Sequence, residues 1–148
     1  MQAGLAVDKV KRILEFGKLA GKPDQILGEI ERKLPKEAMV EKGFKELSGT
    51  IEALDPLGKL SNCRVDLGIV RGIGYYDGMV FEAYDRGGEE LGSVFGGGRF
   101  DKLSRTYGKR DMPATGVAGG IERLMLSLER GRLFPNIEQG PKVFVVMV

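Results

Sequence analysis

Arg71-Gly72-Ile73-Gly74-Tyr75-Tyr76-Asp77-Gly78-Met79-Val80-Phe81-Glu82 sets one arginine, three glycines and two adjacent tyrosines ahead of a strand-like apolar run. Glycine lets the backbone approach a ligand closely or take positive φ. Arginine offers a planar fork of donors suited to phosphate or carboxylate. Tyrosine offers a flat apolar face with a hydroxyl at its edge. Together they can hold a small molecule that carries both an anionic group and a polar ring. The same stretch also reads as an ordinary hairpin with an exposed arginine and two half-buried tyrosines.

Working outward, the segment before it changes texture near Ser61. Cys63, Val65, Leu67, Ile69 and Val70 suit a strand, with Arg64 and Asp66 alternating at its start. After it, Met79 to Tyr84 predicts a second strand and Asp85-Arg86-Gly87-Gly88 a turn. Leu91 to Phe95 predicts a short third strand that runs out into Gly96-Gly97-Gly98-Arg99-Phe100-Asp101. Three glycines at a strand end cost about 0.5–1 kcal/mol each against alanine, so a close backbone approach is expected there. Asp101 to Tyr107 reads as a short helix ended by Gly108. Ala114 to Gly119 reads as a tightly packed strand of small residues, and a helix starts near Gly120. Ile121, Leu124, Met125 and Leu128 form its expected buried stripe, closed by Gly131. Glu122 suits the helix dipole; Arg123 opposes it by roughly 0.3–1 kcal/mol. An arginine in that first turn, off the apolar stripe, is either aimed at an anion or simply solvated.

Residues 1–60 read as a helical unit. Val7, Val10, Ile13, Leu14 and Phe16 supply one apolar face, and Gly21 with Pro23 marks a stop and restart. Leu27, Ile30 and Leu34 keep the helical period to Pro35. Val40, Phe44, Leu47, Ile51 and Leu54 define a third helix, closed by Asp55-Pro56 and Gly58. No catalytic constellation lies here: the unit packs, or it touches a partner such as RNA. At the other end, Pro135 to Pro141 reads as a linker and Lys142 to Val148 as an apolar strand opening a further unit. The expected organisation is thus a helical unit (1–60), an α+β unit (61–134) and a linker with a first strand (135–148).

Composition bounds the chemistry. The 148 residues are 42% hydrophobic and 30% charged, with a net charge of +2, too small to argue for nucleic acid or membrane. A single cysteine, Cys63, rules out an internal disulfide and fits a reducing cytoplasm. With no histidine, the usual zinc sites and any histidine-based triad are excluded within the chain, so no metal ligand set is expected. No run is long enough to span a bilayer, and no signal-peptide core opens the chain. The glycine spacing matches neither the dinucleotide fingerprint nor a Walker A loop.

Three elements in this order resemble histidyl-tRNA synthetase, a class II aminoacyl-tRNA synthetase family. Arg71 to Tyr76 is similar to its histidine-specific RG(L/I)xYY element, Gly97 to Leu103 to its GGRYDxL element, and Gly116 to Arg123 to class II motif 3. The likeness is specific from about Leu67 to Leu128; residues 1–60 would be the family's variable helical insertion. The resemblance implies the second half of a class II core, an antiparallel sheet flanked by helices. It implies histidine activation by ATP, with Mg2+ accompanying the nucleotide, and transfer to tRNA(His) by a cytoplasmic homodimer. Arg71 would contact the α-phosphate and the amino-acid carboxylate. Tyr75, Tyr76, Gly97, Gly98 and Phe100 would surround the histidine, over a floor of Gly96 to Gly98. Gly120 and Arg123 would bind ATP, Arg123 by stacking on adenine. Glu82 and Arg99 would support these groups from behind.

Some residues depart from the family pattern. Phe100 stands where Tyr is usual, Gly74 where an acidic residue is common, and Asp77 where Thr is. No class II motif 1 or motif 2 precedes Arg71, so these residues alone are expected not to catalyse. A second reading is the family's histidine-binding regulator of ATP phosphoribosyltransferase, which charges no tRNA; retention of both Arg71 and Arg123 weighs against it. A third is a structural fragment without activity.

Overall fold

Alternation of apolar and polar residues every three to four positions produces the helices of the first half, in a computed structural model that describes residues 6–108, 110–134 and 145–146. Helix α1 spans Val7–Phe16, α2 Pro23–Lys33 and α3 Ala38–Leu54. Pro23 occupies the first turn of α2, where its missing N–H costs nothing. Helix α3 ends as expected: Asp55–Leu57 tighten into a 3-10 turn, and Gly58 takes φ +64°.

Two sequence expectations in this half are corrected. Helix α1 stops at Phe16, and Gly21 lies in a short strand, β1 (Ala20–Gly21), rather than at a helix end. The strand expected over 63–70 shrinks to β2, Val65–Asp66, which pairs antiparallel with β1. The side chain of Asp66 is the reason: its Oδ1 accepts the Gly68 N–H at 2.8 Å, and this local turn bends the chain out of the ladder. Ile26, Ile30 and Val65 form the buried centre, packed on by Leu19, Phe44, Leu47 and Ile51. The core therefore sits between α2, α3 and the small ribbon. The apolar face of α1 stays exposed at Val7, Ile13 and Leu14.

The second half is built on a three-stranded antiparallel sheet in the order β3 (Val80–Tyr84), β4 (Ser93–Arg99), β5 (Thr115–Gly119). The glycine run does not follow the central strand, as expected from sequence; it is the strand. Gly96 pairs with Glu82 and Ala118, and Gly97 with Phe81 and Val117. The expected helix over 101–107 is only a 3-10 turn at Leu103–Thr106. Here Ser104 Oγ donates to Arg110 O at 2.8 Å and accepts the Met112 N–H at 3.0 Å, and such side-chain bonds compete with a helical ladder. Helix α4 (Ile121–Arg130) begins and ends where expected, with Gly131 at its C-cap. Its inward face is Leu124, Ser127 and Leu128; Ile121 and Met125, expected in the buried stripe, are exposed. The linker expected over 135–141 lies outside the described residues. Of the strand expected over 142–148 only Val145 and Val146 are described, both exposed.

The turn between β3 and β4 ties the pieces together. Asp85 accepts a bond from Ser127 Oγ at 2.6 Å and pairs with Arg130, which fixes α4 to the sheet. Arg86 Nη2 donates to Asn62 Oδ1 at 2.8 Å, linking that turn to the segment after α3.

Candidate active site

Residues on one face of a strand alternate, so Val94, Gly96 and Gly98 share a face of β4 with their cross-strand neighbours Glu82, Val80, Ala118 and Gly116. This face carries the site. Its glycines leave room that the protein itself fills. A methyl group on Gly96 would run into the guanidinium of Arg71, and one on Gly98 would lie 2.9 Å from the Tyr76 ring. Gly97 points to the opposite face, under Phe81, so only its backbone borders the site. Phe100 covers Gly116.

Arg71 and Arg123 line the same cavity, about 270 Å3, with Glu82, Ser93, Gly96 and Gly120 among its other walls. Arg71 reaches it from the loop before β3, and Arg123 from the first turn of α4. Arg71 Nη1 donates to Glu82 Oε1 at 2.9 Å, with the two side chains only 19% and 18% exposed. The bond to Glu82 raises the Arg71 pKa further, so its charge is permanent. The Tyr84 hydroxyl donates to the other Glu82 oxygen and is the main cause that lowers the Glu82 pKa, with Arg71 adding to it and burial opposing. That same bond raises the Tyr84 pKa. Arg123 Nη1 donates to Ser93 O at 2.7 Å. Gly92 takes φ +71° at the foot of β4, where the guanidinium of Arg123 passes 3.4 Å from the position of an absent Cβ. Gly120 donates its N–H to Val94 O at 2.9 Å, carrying the β5 pairing to the start of α4.

A pH prediction follows from Glu82. Its folded pKa is depressed, so its contribution to stability is complete above the ordinary glutamate value and disappears as pH falls through the lowered one. Melting temperature should therefore drop in that acid window, and Glu82→Gln should flatten this part of the profile. Thermal melts of both chains at stepped pH check it; identical slopes would show that Glu82 is not the group responsible.

Beside the cavity, three rings meet. Tyr75 and Tyr76 lie 4.6 Å apart between centroids, and Phe100 meets Tyr75 edge-on at 5.5 Å and Tyr76 at 6.1 Å. Edge-on packing of this kind suits the ring quadrupoles. Two carboxylates that the sequence reading gave no role at the site organise this corner. Asp77 Oδ2 accepts the Lys102 N–H at 2.7 Å and Oδ1 the Asp101 N–H at 3.2 Å. Asp101 Oδ1 accepts the Ala114 N–H at 3.0 Å, the main cause of its lowered pKa, and Oδ2 takes Arg99 Nε at 2.8 Å. An Asp directly after a tyrosine pair, and another just past the glycine strand, were the available signals, since aspartate at such positions often binds nearby N–H groups. Arg99 is held by Asp101 and does not line the Arg71 cavity.

The arrangement presents two cations to one concavity, next to an aromatic corner. Chemically it can hold an anion between the guanidiniums and a ring beside the tyrosines. Among the described residues lining this cavity Glu82 is the only carboxylate, and Arg71 and Tyr84 each hold one of its oxygens.

Comparison with known proteins gives a consistent answer. A histidyl-tRNA synthetase family model matches residues 1–124, a span that includes every residue of the site above. The histidine–tRNA ligase of Pyrococcus horikoshii is 38% identical over 97% of the chain, and that of Thermococcus kodakarensis 40% identical over 98%. The chain spans about a third of the length of these relatives (33% of each). Among solved structures, histidyl-tRNA synthetase from Nostoc sp. PCC 7120 superposes with a TM-score of 0.76 at 31% identity, covering 89% of this chain and 32% of that one. A Bacillus halodurans C protein described as an ATP phosphoribosyltransferase regulatory subunit/histidyl-tRNA synthetase superposes with a TM-score of 0.70 at 28% identity, covering 84% and 32%.

Proposed function

This chain belongs to the histidyl-tRNA synthetase family, and from that premise we propose that it supplies the back half of a site that activates histidine with ATP and transfers it to tRNA(His). The observation that carries this reading is the convergence of Arg71 and Arg123 on one cavity beside the Tyr75, Tyr76 and Phe100 rings.

In the first step a histidine carboxylate oxygen attacks the α-phosphorus of ATP. The bond to the β-phosphate oxygen breaks, and pyrophosphate leaves. Negative charge shifts across the phosphoryl oxygens, and Arg71 is the fixed cation that meets it. Glu82 and Tyr84 hold Arg71 in place beforehand, so little reorganisation is needed during the reaction. Arg123 packs against the nucleotide from α4, with a planar group suited to a base face or to phosphate. The aromatic corner takes the imidazole, where a site that hydrogen-bonds a polar ring rejects analogues lacking it by about 10⁴-fold or more. In the second step a ribose hydroxyl of the terminal tRNA adenosine attacks the carbonyl carbon, and AMP departs. Mg2+ would arrive with the ATP phosphates; among the described residues lining the cavity the one carboxylate, Glu82, is already engaged by Arg71 and Tyr84. A cytoplasmic homodimer is the expected working form. Among the described residues no helix is long and apolar enough to cross a membrane.

The test is ATP–pyrophosphate exchange by the full-length polypeptide that carries these residues, with each amino acid in turn. Exchange with histidine alone is expected; exchange with a different amino acid, or none, would reject the reading. The 148 residues by themselves are expected to be silent, since a site missing part of its groups loses its preorganisation. A histidine-binding regulator would bind histidine in calorimetry and form no adenylate even at full length.

A further inference from the structure

We propose that Asp77 is a positioning residue that sets the width of the aromatic corner, and so the fit of the amino-acid side chain; this rests on the function proposed above. Apart from the packing of its rings on Phe100 and over Gly98, the tyrosine loop, residues 72–78, has little else to fix it. Among the described residues its one backbone hydrogen bond outside helices and strands is Asp77 N–H to Arg99 O, at 3.1 Å. The side chain of Asp77 adds the two bonds to Asp101 and Lys102, at 3.2 and 2.7 Å. Asp77 thus grips the last residue of β4 through its own N–H and the turn just beyond it through both carboxylate oxygens.

Its neighbours give this grip a consequence. Asp77 directly follows Tyr76, and Asp101 directly follows Phe100. The clamp joins the two backbones at the very residues next to the rings, and those rings sit 6.1 Å apart. Phe100 is held from its other side as well, since its N–H donates to Ala114 O at 2.9 Å. Asp101 in turn fixes Ala114 through its Oδ1. Two carboxylates in series, Asp77 and then Asp101, therefore link the tyrosine loop, the Phe100 turn and the start of β5. None of these bonds reaches Arg71, Arg123 or the cavity between them. Loss of Asp77 should widen the ring corner and leave the anion site in place.

The experiment is steady-state exchange by the full-length polypeptide, comparing wild type with Asp77→Ala and Asp77→Asn. Losing two bonds to an ionised acceptor should raise the KM for histidine about tenfold or more in Asp77→Ala. The KM for ATP should stay within about twofold, because Asp77 itself makes no contact to either cation. Asp77→Asn keeps one acceptor oxygen and should fall between the two, and it carries the test should the alanine variant not fold. Hydrogen exchange gives a substrate-free readout: the Asp101 and Lys102 amides should lose protection in Asp77→Ala. Wild-type histidine KM in both variants, or parallel rises for histidine and ATP, would overturn the positioning role while leaving the function intact. Unchanged protection of those two amides would overturn it too. A wild type that shows no histidine-dependent exchange would overturn the function and this role with it.

Discussion

Arg71→Ala in the full-length polypeptide is expected to lower kcat for histidine-dependent ATP–pyrophosphate exchange by about 10³-fold, the cost of removing one preorganised donor from a charge-developing centre. The fall should appear in kcat more than in KM, because the interaction strengthens as the charge on the phosphoryl oxygens grows. The variant also leaves Glu82 without its cation in a half-buried position, with Tyr84 as its remaining partner. A carboxylate without its cation there would repel the incoming phosphates. Two controls separate these effects. Arg71→Lys keeps the charge but not the planar fork that spans Glu82 and a ligand, and should recover less than about a tenth of the lost rate. Arg71→Ala combined with Glu82→Gln removes the stranded negative charge and should recover a few-fold over the single variant. Pre-steady-state adenylate formation measures all of them. An Arg71→Ala enzyme within threefold of wild type would remove Arg71 from the chemistry.

Helix α3 was legible because Val40, Phe44, Leu47, Ile51 and Leu54 keep the helical period and Asp55-Pro56 with Gly58 ends it, all within one local stretch. The start of α4 and the presence of a strand at β5 were legible for the same local reason, but the tight packing expected of β5 is not seen: of its residues only Gly116 is even partly buried. The short reach of β2 was not. A side-chain bond from Asp66 to Gly68 outweighs the strand propensity of Ile69 and Val70, and apolar alternation carries no trace of it.

At the site, residue types were readable and their partnerships were not. Arg71 and Arg123 each stood out by position, yet their meeting depends on the register of β3 on β4 and on α4 folding back beside them. Asp77 was visible only as a departure from the family pattern. Its partners, Asp101 and Lys102, lie far along the chain, across a turn whose geometry the sequence does not announce. The stripe on α4 shows the converse limit. Periodicity marked Ile121 and Met125 as apolar, but whether a partner covers them depends on packing.

Gly97→Ala and Gly96→Ala, neighbours in one strand, are expected to fail in different ways. A Cβ on Gly97 would strike the carbonyl of Gly116 on β5 and come within 2.8 Å of the Phe81 ring. The carbonyl belongs to the ladder, so it cannot retreat without opening the β4–β5 pairing. Overpacking against a fixed backbone should cost about 3 kcal/mol or more. For a chain of this size that corresponds to a fall in Tm of roughly 6–12 °C. A Cβ on Gly96 meets instead the guanidinium of Arg71, the far end of a flexible side chain. Arg71 can swing aside at a stability cost of about 1 kcal/mol, but it then leaves both Glu82 and the cavity. Gly96→Ala should thus melt near wild type and lose exchange activity almost as deeply as Arg71→Ala. Thermal melts and exchange rates on the two variants separate strand integrity from site integrity. If Gly97→Ala melts like wild type, the central strand is not packed as described. If Gly96→Ala keeps full activity, the guanidinium does not work from its seat over β4.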